Sequence, residues 1–150
     1  MIGPIFALVI AAGQPPVMLD PHPPTGVINP AVTQATIGST ICKRDWTKTV
    51  RPPASYTNKL KRADLPPGTN LRLWELDHIL PIEDGGSPTD PNNLRPQPWA
   101  GPDGATVKDQ TVEDPTKRDI CAGRIILIQG QQRIAAWIVA HHPYPIIPSH

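Results

Sequence analysis

Proline constrains this chain more than any other residue, because it makes up 21 of the 150 residues and is concentrated near the two ends. The stretches "QPPVMLDPHPP" (14–24) and "HHPYPIIPSH" (141–150) show this best. Proline has no amide hydrogen and a fixed φ, so neither stretch can continue a helix or a central strand. We therefore predict a linker over 14–28, a tail over 141–150, and one folded domain over 29–140, which is long enough for a modest core.

The first 13 residues, "MIGPIFALVIAAG", form a short apolar stretch that ends in small residues. This length suits the apolar region of a secretory signal and is too short to span a bilayer. We expect 1–13 to be a signal peptide, no membrane span, and an extracytoplasmic protein, periplasmic or secreted. The stretch lacks a positively charged start, and the alternative is a buried N-terminal segment of a cytoplasmic protein.

The chain contains two cysteines, Cys42 and Cys121. An even number in an exported chain indicates a disulfide, which here would close a loop of about 80 residues. Two buried free thiols are the alternative if the chain stays in the cytoplasm. The wide spacing excludes a CxxC zinc or redox motif.

Apolar periodicity and turn residues predict a mixed α+β fold. A helix is expected over 29–42, where Asn29 can cap it and Pro30 suits the first helical position. Alternation predicts a strand over 70–78, and alternate prolines make 93–99 extended. Further helices are expected at 57–63, 104–113, 115–123 and 125–142, the last with Ile134, Trp137 and Ile138 facing inward.

The most informative stretch is "ELDHILPIEDGG" (75–86), which places Asp77 beside His78 at the end of the predicted strand. Neighbouring side chains of a strand point to opposite faces, so the pair can share one site only if the strand ends there. The double glycine, Gly85 and Gly86, permits a tight turn after the pair. The alternative is an ordinary strand end whose polar pair caps a turn.

Together with "NNLRPQPW" (92–99) and the polar helix "ATVKDQTVE" (105–113), this stretch resembles the HNH endonuclease family, also called ββα-metal or His-Me finger nucleases. The resemblance covers about 29–138. It implies a small hairpin-plus-helix unit of the ββα-metal type, embedded among helices and irregular proline-rich segments. It also implies hydrolysis of phosphodiester bonds in nucleic acid with little sequence specificity.

The resemblance assigns roles to individual residues. His78 would be the general base that takes a proton from water, since an imidazole titrates near neutral pH. Asp77 would bind a divalent metal. Asn93 would hold the hairpin loop and orient the histidine through backbone contacts.

The last metal ligand is where this sequence departs from the family, whose helix usually offers histidine or asparagine. Asp109 is the best substitute, and Glu113 lies one turn further on the same face. Carboxylate ligands favour Mg²⁺ or Mn²⁺ over Zn²⁺, which stays an alternative. Both residues could instead belong to a solvated helix face.

A formal net charge of +1 gives no bulk attraction for polyanions, so nucleic acid would need a local basic patch. Lys108 and Arg95 are candidate phosphate contacts, as is Arg51 within the basic stretch 43–62. The alternative is that these basic residues are ordinary solvated charges at the protein surface. No recognition element for base sequence is present.

We therefore expect a monomeric, metal-dependent endonuclease that acts on nucleic acid, with DNA as the favoured substrate. The alternative is a non-catalytic exported binding or structural protein that keeps the same fold.

Overall fold

A computed structural model of the protein describes residues 8–9, 17–19 and 25–146. The structure is mixed α+β. Its strands are β1 (Leu8–Val9), β2 (Val17–Leu19), β3 (Trp74–His78), β4 (Leu94–Pro98) and β5 (Pro145–Ile146). Its helices are α1 (Trp46–Val50), α2 (Ala54–Asp64), α3 (Ala105–Lys108), α4 (Asp114–Cys121) and α5 (Leu127–His141). Most of the proposed signal peptide and about half of the linker lie outside the described residues.

The antiparallel pair β3–β4 is the element that positions the site. Trp74 lies opposite Pro98, and His78 lies opposite Leu94 at the other end of the pair. β3 is shorter than the predicted strand over 70–78, because a 3₁₀ turn occupies Leu71–Leu73 and is capped by the Asn70 side chain. The extended return predicted over 93–99 is confirmed by β4.

The turn between β3 and β4 depends on its two glycines. Gly85 has a φ of 91°, which is the left-handed region that glycine adopts without strain. A Cβ on Gly86 would lie 1.7 Å from the carbonyl oxygen of Leu80, so no other residue fits there. The prediction that this pair lets the loop fold back tightly is confirmed.

The predicted helix over 29–42 is wrong. This segment consists of turns and a single 3₁₀ turn at Ile37–Ser39. The Thr36 hydroxyl donates to the carbonyl of Ala31, and Thr40 donates to Thr36, so short side chains bond the backbone in place of helical amides. The apolar residues Val32 and Ile41 are nevertheless buried.

The helix after β4 is continuous but irregular. Between α3 and α4 the chain forms one π-helical segment, Asp109–Glu113. We predicted one helix over 104–113 and a separate helix over 115–123, and this separation is wrong. The wider turn before Pro115 explains why the chain continues, because in a regular α-helix the proline ring would clash with the carbonyl four residues earlier.

Two apolar clusters stabilise the fold. The first lies behind the β3–β4 turn and contains Ile79, Leu80, Val112, Ile134, Ile138 and Tyr144. The second joins the irregular N-terminal segment to α4 and α5 through Val32, Ile41, Ile120 and Leu127. Ile134 and Ile138 are fully buried and Trp137 packs against the first cluster, which confirms the predicted inward face of the last helix.

The predicted disulfide is present, and Cys42 and Cys121 are its two residues. It joins the second cluster to the C-terminal end of α4. Disulfides of this kind are typical of proteins that fold in an oxidising compartment. Among the described residues, no helix is both long enough and apolar enough to cross a bilayer.

Replacement of both cysteines, Cys42→Ser with Cys121→Ser, should lower the free energy of unfolding. The loop that the bond closes is about 80 residues long, for which the chain-entropy model gives about 4.5 kcal/mol. Urea unfolding of the oxidised protein and of the double variant measures this difference. The oxidised protein with added reductant is the control and should approach the variant; a difference under about 1 kcal/mol would contradict the expected stabilisation.

Candidate functional site

The candidate site is a pocket of about 250 Å³ at the end of β3. Because β3 ends at His78, the side chains of both Asp77 and His78 reach this pocket instead of pointing to opposite faces. Its lining is polar and mostly acidic: Arg51, Glu75, Asp77, His78, Pro81, Ile82, Glu83, Asp109, Glu113 and Asp114. The structure thus brings together all four residues predicted as base or metal ligands.

His78 is held in one tautomer. Its Nε2 lies 2.9 Å from the carbonyl oxygen of Pro88, which can only accept, so Nε2 carries the hydrogen and donates. Nδ1 therefore carries the lone pair. Burial lowers the pKa of His78, with only partial compensation by Pro88 and Asp77. The neutral imidazole is the form that prevails at pH 7, and it is ready to accept a proton.

Asn93 holds the loop that carries Pro88. Its Oδ1 accepts from the amides of Val27 and Leu80, and its Nδ2 donates to the carbonyls of Leu80 and Ser87. Its own carbonyl accepts from the amide of Ile79, directly after His78. The side chain is fully buried. This is the geometry expected of a residue that fixes the hairpin loop through backbone contacts.

The Lys108 ammonium lies in the interior of the protein and not at its surface. Its side chain is 0% exposed, and its Nζ lies 2.6 Å from Asp77 Oδ2 and 2.8 Å from Glu113 Oε1. Burial alone would lower the pKa of Lys108, but Asp77, Tyr144 and Glu113 hold it well above its usual value. The expected phosphate contact of Lys108 is therefore wrong, because the ammonium does not reach solvent.

The π-helical segment is what brings Glu113 to Lys108. Residues five apart in a regular α-helix point about 140° away from each other, so they cannot form an ion pair. The wider turn of Asp109–Glu113 places both side chains on one face. Glu113, predicted as a metal ligand, lines the pocket and is also the second carboxylate partner of the lysine.

Glu75 is a pocket residue that the sequence reasoning missed. It precedes Asp77 by two positions on β3, so both side chains lie on one face of the strand, and this alternation could have identified it. Burial, with the nearby charges of Asp77 and Asp109, raises the pKa of Glu75 to about 8. Its Oε2 is buried and has no hydrogen-bond partner in the structure.

The carboxylates of Glu75, Asp77 and Asp109 are suited to a hard cation. Burial, followed by the charge of Asp77, also raises the pKa of Asp109. A divalent cation would relieve this repulsion, and the unpartnered Glu75 Oε2 would gain a ligand bond. Within residues 25–146, however, no three such side chains are already arranged around an ion position. Carboxylate oxygens of this kind are donors that suit Mg²⁺ or Mn²⁺ better than Zn²⁺.

Tyr144 lies in the proline-rich segment that we interpret as a tail, and it is nevertheless part of the site. Its side chain is buried, and its hydroxyl donates to Asp77 Oδ2, the same oxygen that Lys108 binds. At the other end, Val27 and Ile28 of the predicted linker bond the loop through Asn93 and Gly86. Nothing in the local sequence of either segment indicated these contacts.

The two arginines proposed to contact phosphate lie in different places. Arg51 lines the pocket and is the only cationic side chain of its lining. Arg95 donates to the carbonyls of Pro91 and Leu94 and is not among the pocket residues. Of the two arginines, only Arg51 has its side chain at the pocket.

Comparison of the chain with models of protein families, with curated proteins and with solved structures finds no match.

Replacement of Asn93 should destabilise the protein strongly. Asn93→Ala would leave three backbone groups of the loop and the amide of Val27 without their partner, at about 1 kcal/mol or more for each group that stays buried. We expect a loss of at least about 3 kcal/mol in urea unfolding. The neighbouring Asn92 is exposed, and Asn92→Ala is the matched control, with a change under about 1 kcal/mol. Equal effects of the two variants would contradict the assigned role of Asn93.

The contribution of Glu75 to the stability of the protein should fall as the pH rises towards 8. Glu75 has a pKa of about 8 in the folded state and a lower one when unfolded, so the folded state binds more protons between these values. Stability is then greatest below the unfolded pKa and decreases as Glu75 ionises. Urea unfolding from pH 5 to 8, without divalent cations, should show this slope, and Glu75→Gln should reduce it.

Glu83→Gln, in the same pocket, is the control for loss of a carboxylate. A slope that Glu75→Gln leaves unchanged would assign the effect to another group.

Proposed function

We propose that this protein hydrolyses phosphodiester bonds in nucleic acid, as an HNH-like endonuclease with little sequence specificity and DNA as the expected substrate. The observation that supports this best is the shared pocket of Asp77, His78 and Asp109 at one strand end. A neutral imidazole beside carboxylates that can hold a cation provides a proton acceptor and a place for phosphate charge.

In the proposed reaction, His78 Nδ1 takes a proton from water. The resulting hydroxide oxygen forms a bond to phosphorus, and the bond from phosphorus to the 3′-oxygen breaks. The hydrogen bond from Nε2 to Pro88 keeps the ring fixed while Nδ1 becomes protonated. Asp77 and the Pro88 carbonyl both stabilise the imidazolium that forms.

Asp77 and Asp109 would hold the divalent cation, and Glu75 replaces Glu113 as the third carboxylate in this proposal. When bound, Mg²⁺ or Mn²⁺ would neutralise charge on the phosphate and assist the leaving oxygen. The acidic lining requires such a cation, because without it the pocket would repel a phosphodiester. Arg51 would supply a further positive charge for the same group.

The second candidate is the non-catalytic exported protein that keeps an HNH-like unit. The cluster of Lys108, Asp77 and Glu113 favours it, because the lysine neutralises part of the carboxylate charge without a metal. The disulfide supports an extracytoplasmic location for either function.

Incubation of the purified, oxidised protein with supercoiled plasmid tests the proposal. Mg²⁺ or Mn²⁺ should support nicking, and a chelator should abolish it. His78→Ala should lower the cleavage rate by about 10²-fold or more, because general-base catalysis contributes about that factor. Single-turnover rates at pH 7 to 8 provide the measurement.

His141→Ala is the matched control. His141 is half-exposed, bonds Asp103 and does not line the pocket, so its variant should keep the rate within about threefold. Cleavage that survives in His78→Ala would refute the assignment of the base. Metal binding by the wild-type protein without any cleavage would favour the non-catalytic candidate.

A further inference from the structure

The Lys108 ammonium is surrounded by oxygen atoms. Besides the two carboxylates, the carbonyl oxygens of His78 and Ile79 accept from Nζ at 3.0 and 3.3 Å. Two carboxylates and two backbone carbonyls are the ligands that proteins use for hard divalent cations. The distances of 2.6 to 3.3 Å around this centre are those of a nitrogen donor and not of a metal. A lysine side chain thus occupies a centre with the composition of a cation site.

Three of the four contacts of Lys108 are directed at the end of β3, and the fourth is to Glu113. One goes to the Asp77 side chain, and two go to the backbone of His78 and of the residue after it. Both Lys108 and Tyr144 bind Oδ2 of Asp77, so Oδ1 is the oxygen that these contacts leave. The ammonium fixes the strand end and sets which carboxylate oxygen can meet another ligand.

We infer that Lys108 is a positioning residue whose ammonium takes the place of one cation at this site. It holds Asp77 and the His78 backbone, and it leaves Asp77 Oδ1, Glu75 and Asp109 for one exchangeable divalent cation. The inference rests on the proposed function, because the residues that Lys108 holds are the proposed catalytic pair. It goes beyond that function because it states that the lysine ammonium occupies a position with the ligands of a metal ion. The binding of a cation can be measured without any cleavage.

Lys108→Met provides the decisive test, because methionine approximates the length of the side chain and removes its charge. The four oxygen atoms that bind Nζ then have no positive charge beside them, so Mn²⁺ should bind at least tenfold more tightly than to the wild-type protein. Cleavage should fall at least a hundredfold, since Asp77 and His78 lose their support. If Lys108 served folding alone, its loss would weaken both Mn²⁺ binding and cleavage. Tighter Mn²⁺ binding together with slower cleavage therefore distinguishes the positioning role from a role in folding.

Electron paramagnetic resonance of free and bound Mn²⁺, with calorimetry, measures the affinity, and circular dichroism with urea unfolding verifies the fold. Lys117→Met is the matched control. Lys117 lies on α4, and its partly buried side chain pairs with Glu83, so its loss removes the same charge near the same pocket. It should change Mn²⁺ affinity and cleavage less than threefold.

A folded Lys108→Met protein whose Mn²⁺ affinity is unchanged or lower would overturn the inference. If this variant is unfolded without a cation, millimolar Mn²⁺ should restore its native circular dichroism, because a ligand that binds the folded state stabilises it. Failure of Mn²⁺ to do so also counts against the inference.

The failure of the proposed function is a different result. In that case the wild-type protein cleaves no plasmid with any cation, while Lys108→Met still gains Mn²⁺ affinity.

Discussion

The buried ion pair of Lys108 and Asp77 is the interaction on which the site depends. A lysine that is 0% exposed needs charged partners and hydrogen bonds to offset the loss of water, and Asp77, Glu113 and two carbonyls supply them. Those partners come from the end of β3 and from the π-helical segment. The C-terminal Tyr144 joins them through Asp77. One ammonium therefore connects three separate parts of the chain.

The local features of the fold follow from the sequence. Alternate prolines made 93–99 extended, and the two glycines required the turn, because both constraints act within a few residues. The segment 29–42 had the apolar spacing of a helix, yet threonine hydroxyls bonded the backbone and the disulfide fixed its end. Apolar periodicity indicates which side chains are buried. Here it predicted the burial of Val32 and Ile41 correctly and the helical backbone wrongly.

The candidate site also contains residues that local sequence predicts and residues that it does not. Asp77, His78 and Asn93 could be identified because a strand end, a turn and a return strand bring them together within one hairpin. We predicted that Lys108 lies at the surface, because a lysine beside an aspartate on a polar helix is usually exposed. Its burial depends on Glu113, which only a π-helical turn brings within reach, and on Tyr144, which lies 67 residues from Asp77 along the chain. No local pattern encodes either contact.

The π-helical segment has a consequence for how this protein can vary. The five residues of this segment fill about one turn, which takes about four residues in a regular α-helix, so the segment carries about one residue more than the turn needs. Deleting one residue between 109 and 113 would therefore leave α4 on nearly the same face of the helix, with Cys121 still facing Cys42. It would also bring the ring of Pro115 against the carbonyl four residues before it, which the wider turn avoids. The extra residue relieves the proline, so the two should be kept or lost together among functional relatives.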